Sequence, residues 1–288
     1  MRILVTGAAG MLGRAVVEAA GARHAVVGVD LADGDLTDPA VAPALLARHR
    51  PDWVAHCAAF TDVDGAESAR ERALAVNGEA TAHLARACAA AGAGLQYVST
   101  DYVFDGRDPR GYDEEASRAP INHYGLTKAR GEEAVEAMPG RSQIVRASWL
   151  FGPGPKNFVL AIRARLATSA VLQVVKDQVG CPTYAPDLAK VLLFLLENGT
   201  PGLYHATNRG ACTWFAFARE IARQLGYDPR LVGPCAAADW WTPARRPACS
   251  ILRSERLEAL GCPDRPPWPD ALKRYLALLA REEGVAQS

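Results

Sequence analysis

Short, uniformly apolar runs alternate with stretches whose apolar residues recur every three to four positions through the first half of the chain. Ile3-Leu4-Val5, Ala25-Val26-Val27-Gly28-Val29-Asp30, Trp53-Val54-Ala55-His56, 95–99 and 143–146 are runs of strand length with little polar alternation. They read as strands buried on both faces. Between them, residues 11–20, 40–49, 66–91 and 122–137 read as helices. In 66–91, Ala73, Val76, Ala80, Leu84 and Ala87 recur at helical spacing. Strand–helix alternation calls for parallel strands joined by right-handed helical crossovers. The expected fold class is α/β, with a doubly wound parallel sheet over residues 1–150.

After Ser148 the pattern loosens. Gly152-Pro153-Gly154-Pro155 breaks the chain, and a helix over 158–167 and a strand over 171–175 follow. Pro186 is placed as the first residue of a helix running to Leu196, where its preset backbone angle is tolerated. Thr213 is placed as the cap of a helix ending near Gly226, and a last helix spans 268–279. Residues 151–288 are read as a smaller mixed α/β unit for substrate, with a segment near 171–200 returning to the first unit.

Composition narrows the function classes. Lys and Arg together number 32, as do Asp and Glu, so the net charge is zero. A bulk field that would attract nucleic acid or an anionic membrane is lacking, and a phosphate-bearing substrate has to find local cations. The seven cysteines are scattered and never spaced C-x-x-C, which argues against a disulfide framework and a zinc site. They are read as buried small apolar residues. An opening strand at residue 2 leaves no room for a signal peptide, and apolar runs stay short of the ~20 residues of a membrane span. The expectation is a cytoplasmic enzyme.

The chemistry begins at Gly7-Ala8-Ala9-Gly10-Met11-Leu12-Gly13, directly after the first strand. Glycines there let the backbone turn tightly and approach a pyrophosphate, with the positive end of the next helix behind it. This makes the first unit a Rossmann-type dinucleotide site. Asp30 stands at the end of the second strand, where a carboxylate accepts from the adenosine ribose diol. It also repels the additional phosphate of NADPH. Leu31-Ala32-Asp33 offers no compensating cation, and Arg14 is the only nearby candidate, so NADH is favoured over NADPH. Asp35-Leu36, followed by Thr37-Asp38, either reaches the adenine edge or merely precedes a helix cap at Thr37 or Asp38.

Tyr124 and Lys128 are four residues apart, on one face of a helix. A free phenol has a pKa of ~10. The expectation is that the Lys128 ammonium lowers it and holds the nicotinamide ribose, making Tyr124 the proton donor. Thr100, at the C-terminal end of the fourth strand, is placed to donate to a substrate carbonyl. His56, His123 and His205 are isolated and are assigned core or loop roles.

These residues sit in a longer series of motifs. Ala58-Ala59-Phe60-Thr61-Asp62-Val63-Asp64, Ala75-Val76-Asn77, Ser99-Thr100-Asp101-Tyr102-Val103-Phe104-Asp105-Gly106, Tyr124-Gly125-Leu126-Thr127-Lys128, Ser148-Trp149 and Arg246-Pro247 with Ser250 occur in order. In this the chain resembles the dTDP-4-dehydrorhamnose reductases, extended short-chain dehydrogenases, from residue 1 to about 280. The resemblance implies that Gly10-Met11-Leu12, Asp30, Asp35-Leu36 and Ala58-Ala59 line the cofactor. It implies that Thr100, Tyr124 and Lys128 are catalytic, and that Asp101, Tyr102 and Trp149 contact a nucleotide-sugar. The implied reaction is reduction of the C4 ketone of a dTDP-4-keto-6-deoxy sugar, dTDP-4-dehydrorhamnose to dTDP-rhamnose, with NADH or NADPH. Where the family usually has Asn-Ala-Ala-Ala-Tyr, this chain has His56-Cys57-Ala58-Ala59-Phe60, and Cys249 replaces an Asn. Some relatives bind magnesium at a dimer contact through a glutamate; Ala15 stands in its place, so no metal is expected and a homodimer stays open.

Two other functions fit the same scaffold. A 4,6-dehydratase needs Thr-Asp-Glu to remove water, and Tyr102 takes the place of that base; a 4-epimerase on the same scaffold stays open. A non-catalytic regulatory subunit, like the methionine adenosyltransferase β subunit that shares the fold, would not need the Thr100, Tyr124 and Lys128 set.

Overall fold

The computed structural model describes residues 1–21, 23–168, 171–262 and 265–286. Six parallel strands form the central sheet: β1 (Arg2–Thr6), β2 (Ala25–Val29), β3 (Trp53–His56), β4 (Gly94–Thr100), β5 (Ser142–Ala147) and β6 (Gly202–His205). Their spatial order is β6-β5-β4-β3-β1-β2. The order reverses at β1, between β2 and β3, and at such a switch point the strand ends diverge into a crevice.

Successive side chains of a strand point to opposite faces. On β1, Ile3 and Val5 join Val16, Leu188 and Leu192 on one face, while Leu4 joins Leu45, Leu84 and Leu95 on the other. Both faces are covered, which is why these strands read as continuous apolar runs. Helices Met11–Ala20 and Ala185–Asn198 pack together over the first face. Helices Val41–His49 and Ala80–Ala91 cover the second, flanked by His123–Glu136.

A second core gathers Phe151, Ile162, Leu166, Leu172, Phe217, Ile221, Leu272 and Tyr275. Leu172–Val175 pairs with Val232–Cys235 inside this unit, apart from the main sheet. The return to the first unit therefore starts with helix Ala185–Asn198 and ends with β6, later than the expected 171–200.

The long helix expected over 66–91 is interrupted. Gly65–Ser68 and Arg70–Leu74 are separate turns, Ala75–Glu79 is a π-helical turn, and Ala80–Ala91 is the regular helix. Alanine-rich periodicity does not reveal such a break, because the π turn is held by tertiary bonds of Asn77 described below.

Candidate active site

At the end of β1 the chain turns at Gly7, whose φ is 68°, and the Gly10 N–H closes the turn on Gly7 O at 3.0 Å. A Cβ on Gly7 would lie 2.7 Å from the Ala58 backbone, and one on Gly13 only 2.1 Å from Gly7 O. The turn, the helix start and the Ala58-Ala59 loop are thus pressed together with no room for side chains. Gly10 caps helix Met11–Ala20 without a side-chain bond, leaving its first N–H groups free to meet a phosphate. This cradle fits the pyrophosphate of a dinucleotide.

Asp30 accepts from Ala9 N at 2.8 Å and from Leu31 N at 2.9 Å, bracing the turn from the end of β2. Asp35 accepts from Thr37 N at 3.0 Å and Thr37 Oγ1 at 2.8 Å. These bonds, led by the Thr37 N–H, hold its carboxyl below the ordinary range. Asp35 therefore has the turn-capping role, and it also lines the cavity beside Leu36. Arg72, from the interrupted helix, reaches Asp35 at 3.4 Å and lines the same wall. It is the cation that reading along the chain did not find, because 37 residues separate the pair.

The cavity running from this cradle has a volume of about 890 Å³. Its wall contains Gly7, Gly10, Met11, Leu12, Gly13, Asp30, Asp35, Leu36, Ala58, Ala59, Thr100, Asp101, Tyr102, Tyr124, Lys128 and Trp149, so every candidate residue meets in one space. Thr100 is the last residue of β4. Asn122 caps helix His123–Glu136 through Gly125 N at 2.8 Å and ties that helix to the second unit through Arg245 O. The cap sets Tyr124 on the first turn, edge-on to Tyr102 with ring centroids 6.0 Å apart.

The electrostatics differ from the expectation for Lys128. Its Nζ donates to Val98 O at 2.7 Å and lies 4.1 Å above the Tyr97 ring, and the phenol is shifted upward rather than down. Burial pushes the Tyr124 phenol up to about 12, with the adjacent Thr100 hydroxyl opposing and Asp101 adding to the rise. Burial likewise brings Lys128 down to about 7, against the pull of Glu132. A shared helical face places both groups in the cavity, but a buried ammonium has to find acceptors, and the β4 carbonyl is the one in reach.

Asn77, Trp149 and Arg246 stand in the motifs quoted above, but their partners were not legible. Asn77 accepts from Phe60 N at 2.8 Å and donates to Phe60 O and Thr127 Oγ1, joining the Ala58-Ala59 loop to the Tyr124 helix. Trp149 has φ 47°, a strained value for a bulky residue, and stacks on Trp214 at 3.4 Å. Trp214 and Lys156 line the cavity too. Arg246 holds Asp64 at 2.7 and 2.9 Å and lies close to the Tyr102 side chain, bringing the 244–250 loop to that part of the cavity wall.

The histidines hold structural places. His56 is wedged between Thr6 Oγ1 and Thr81 Oγ1, and burial pushes it down to about 3. All seven cysteines are free; Cys88, Cys181 and Cys249 are buried as expected, whereas Cys57, Cys212, Cys235 and Cys262 are only partly buried, and Cys57 lines the cavity. Burial raises its thiol to about 12, against the Lys128 charge, which disfavours the thiolate. No helix among the described residues is long and apolar enough to cross a membrane.

Comparison with known proteins places this geometry. The RmlD substrate binding domain model matches residues 1–281. A dTDP-4-dehydrorhamnose reductase of Streptomyces griseus is 44% identical over 291 residues, 98% of this chain and 95% of the relative. A dTDP-4-keto-6-deoxy-D-glucose reductase of Streptomyces niveus is 38% identical over 284 residues, 98% of this chain and 99% of the relative. The crystal structure of dTDP-4-dehydrorhamnose reductase from Bacillus anthracis in complex with NADP superposes with a TM-score of 0.92 at 35% identity, covering 96% of this chain and 98% of that one. The chain belongs to the dTDP-4-dehydrorhamnose reductase family and is an NAD(P)H-dependent oxidoreductase of the Rossmann type.

Proposed function

We propose that this protein reduces the C4 ketone of a dTDP-4-keto-6-deoxy hexose, with dTDP-4-dehydrorhamnose to dTDP-rhamnose as the reaction. The observation that carries the reading is that Thr100 and Tyr124 line the same cavity as Gly7, Gly10 and Gly13 of the turn. When bound, the reduced nicotinamide supplies the hydride.

The protein's own groups supply the rest. Tyr124 gives its proton to the ketone oxygen as charge develops there, and Thr100 donates a hydrogen bond to the same oxygen. A phenol held up at about 12 stays protonated at neutral pH, which suits a donor. Lys128, fixed on Val98 O, presents its remaining N–H groups to the cofactor's ribose. Tyr102 and the Trp149–Trp214 stack hold the nucleotide-sugar, and Lys156 offers a charge to its phosphates.

Asp30 favours NADH by accepting from the ribose diol. Arg72 is loosely held, with its side chain 54% exposed, so it is free to turn to the added phosphate of NADPH and make that cofactor usable.

A second reading, another nucleotide-sugar 4-ketoreductase, draws on Cys57 and Cys249, which replace the family's usual residues near the pocket. Dehydration is disfavoured: Tyr102, in the place of the base, is pushed upward by burial and stays a neutral phenol.

The test is oxidation of NADH and NADPH by the purified protein with the 4-keto-6-deoxy sugar nucleotide, followed by NMR of the product. Tyr124→Phe is expected to lower kcat by roughly 10²–10⁴ with cofactor affinity nearly unchanged. Turnover within a few-fold of wild type would remove Tyr124 from the chemistry, and no turnover by wild type would remove the substrate assignment.

A further inference from the structure

Thr100 has one hydroxyl proton and two lone pairs. One lone pair accepts from Tyr102 N at 3.2 Å. Asp101 Oδ1 lies 3.1 Å from the same hydroxyl oxygen. With Asp101 ionised, that carboxylate takes the Thr100 proton, and none is left for a ketone.

Asp101 is poorly equipped to be ionised. It is 2% exposed, and its Oδ2 is buried without a hydrogen-bond partner, although the residue is part of the cavity wall. The groups that face it are Thr100 from its own strand end, Tyr124 from the next helix, Ser250 from the loop over the site, and Tyr102 and Cys181. All are neutral. Of the nearest cations, Arg246 is engaged by Asp64 and Tyr102 and Lys128 by Val98 O.

We infer that Asp101 works as a neutral carboxylic acid whose O–H donates to Thr100 Oγ1, turning the single Thr100 proton toward the substrate ketone. Thr100 then accepts twice and donates once, which satisfies its hydroxyl. The buried Oδ2 ceases to be an unpaired anion. An ionised Asp101 would also make the Tyr124 phenol a weaker acid, so its neutral form helps both donors. Burial raises this carboxyl to about 7, with Ser250 and Thr100 opposing, so the neutral form persists to near-neutral pH. Asp101 is therefore a positioning residue, and the inference rests on the reductive reading above.

The sign follows directly. As pH rises through the Asp101 pKa the acid is lost, the Thr100 proton turns back to the carboxylate, and kcat falls. Asp101→Asn keeps the shape and offers an N–H donor at every pH. It is expected to lower kcat at pH 6 by up to about tenfold, an amide being the weaker donor, to abolish the alkaline decline, and to leave KM for the sugar nucleotide nearly unchanged. Thr100→Val should lower kcat and lose the same decline. If the decline persists in Asp101→Asn it belongs to Lys128, and the inference is overturned. A raised KM with an intact decline overturns it too, because Asp101 is then a plain sugar ligand. Infrared difference spectra of the ligand-free protein give a readout without turnover. A protonated carboxyl band at pH 6, absent in Asp101→Asn and lost on raising the pH, is expected. Its absence from wild type would overturn the inference while leaving the ketone-reduction reading untouched; failure of wild-type turnover would do the reverse.

Discussion

Glu132→Gln is the substitution whose cost can be worked most fully from this structure. Glu132 sits one helical turn beyond Lys128 and is fully buried. Its Oε1 accepts from Arg146 Nε at 2.8 Å and Ser99 Oγ at 2.5 Å; its Oε2 accepts from Arg146 Nη2 at 2.6 Å and Arg118 Nη1 at 3.1 Å. Arg146 is only 2% exposed, so an amide at 132 strands its charge in the core. It also sets an NH₂ against two donors. Breaking a buried pair from one side costs about 3–5 kcal/mol. The expected loss is near the lower end, about 3 kcal/mol, because Arg118 keeps its bonds to Glu136 and Oε1 keeps two donors. Urea unfolding followed by circular dichroism reads this out; with a slope of about 3 kcal/mol per molar the midpoint falls by roughly 1 M. Burial pushes the Glu132 carboxyl up, but the bonds and charge of Arg146 outweigh it and the net shift is downward from 4.5. The stabilisation is therefore complete above the unfolded value of 4.5 and is lost as pH falls through the lower folded one. The gap between wild type and Glu132→Gln should close in acid. A loss under about 1 kcal/mol at pH 7, or a gap unchanged between neutral and acid pH, would refute the reasoning.

The remaining expectations concern the cofactor. Arg72→Ala should raise KM for NADPH about tenfold, the worth of one charge-assisted bond, and leave NADH within error; equal effects on both would show that Arg72 does not meet the added phosphate. Asp30→Ala should weaken NADH more than NADPH, and a uniform loss in steady-state titrations would mean that its bracing of Ala9 and Leu31 is all that it does. Gly13→Ala puts a methyl 2.1 Å from Gly7 O, so the turn has to open. Fluorescence titration should show at least a tenfold weaker affinity for either cofactor, about 1.4 kcal/mol, and affinity equal to wild type would contradict the close packing of the turn.

Much of the site was legible along the chain because its signals are local. A glycine turn after an apolar run, a carboxylate about twenty residues on, and Tyr and Lys at one helical interval are patterns of neighbours. The residues they single out line one cavity. What failed was the step from shared face to shared charge. Lys128 and Tyr124 line the same space, yet the ammonium is bonded to Val98 O, 30 residues away in sequence.

The helix expected over 66–91 marks the same limit. Its alanines and leucines keep helical spacing, and helix propensity cannot register that Asn77 has partners at Phe60 and Thr127. Those bonds anchor the π turn and carry the loop at Ala58 to the Tyr124 helix. The seat of Arg72 beside Asp35, the stack of Trp149 on Trp214 and the contact of Ser250 with Asp101 are likewise meetings of distant segments.

Hydrophobic period, turn residues and helix spacing are written residue by residue, so the alternating architecture, the glycine turn and the candidate hydroxyls of Thr100 and Tyr124 were legible in the amino-acid order alone. Which protons those hydroxyls hold was decided only in three dimensions. Burial and the choice of a partner for each buried donor are properties of packed space: they raise the Asp101 carboxyl and set the Lys128 ammonium on Val98 O.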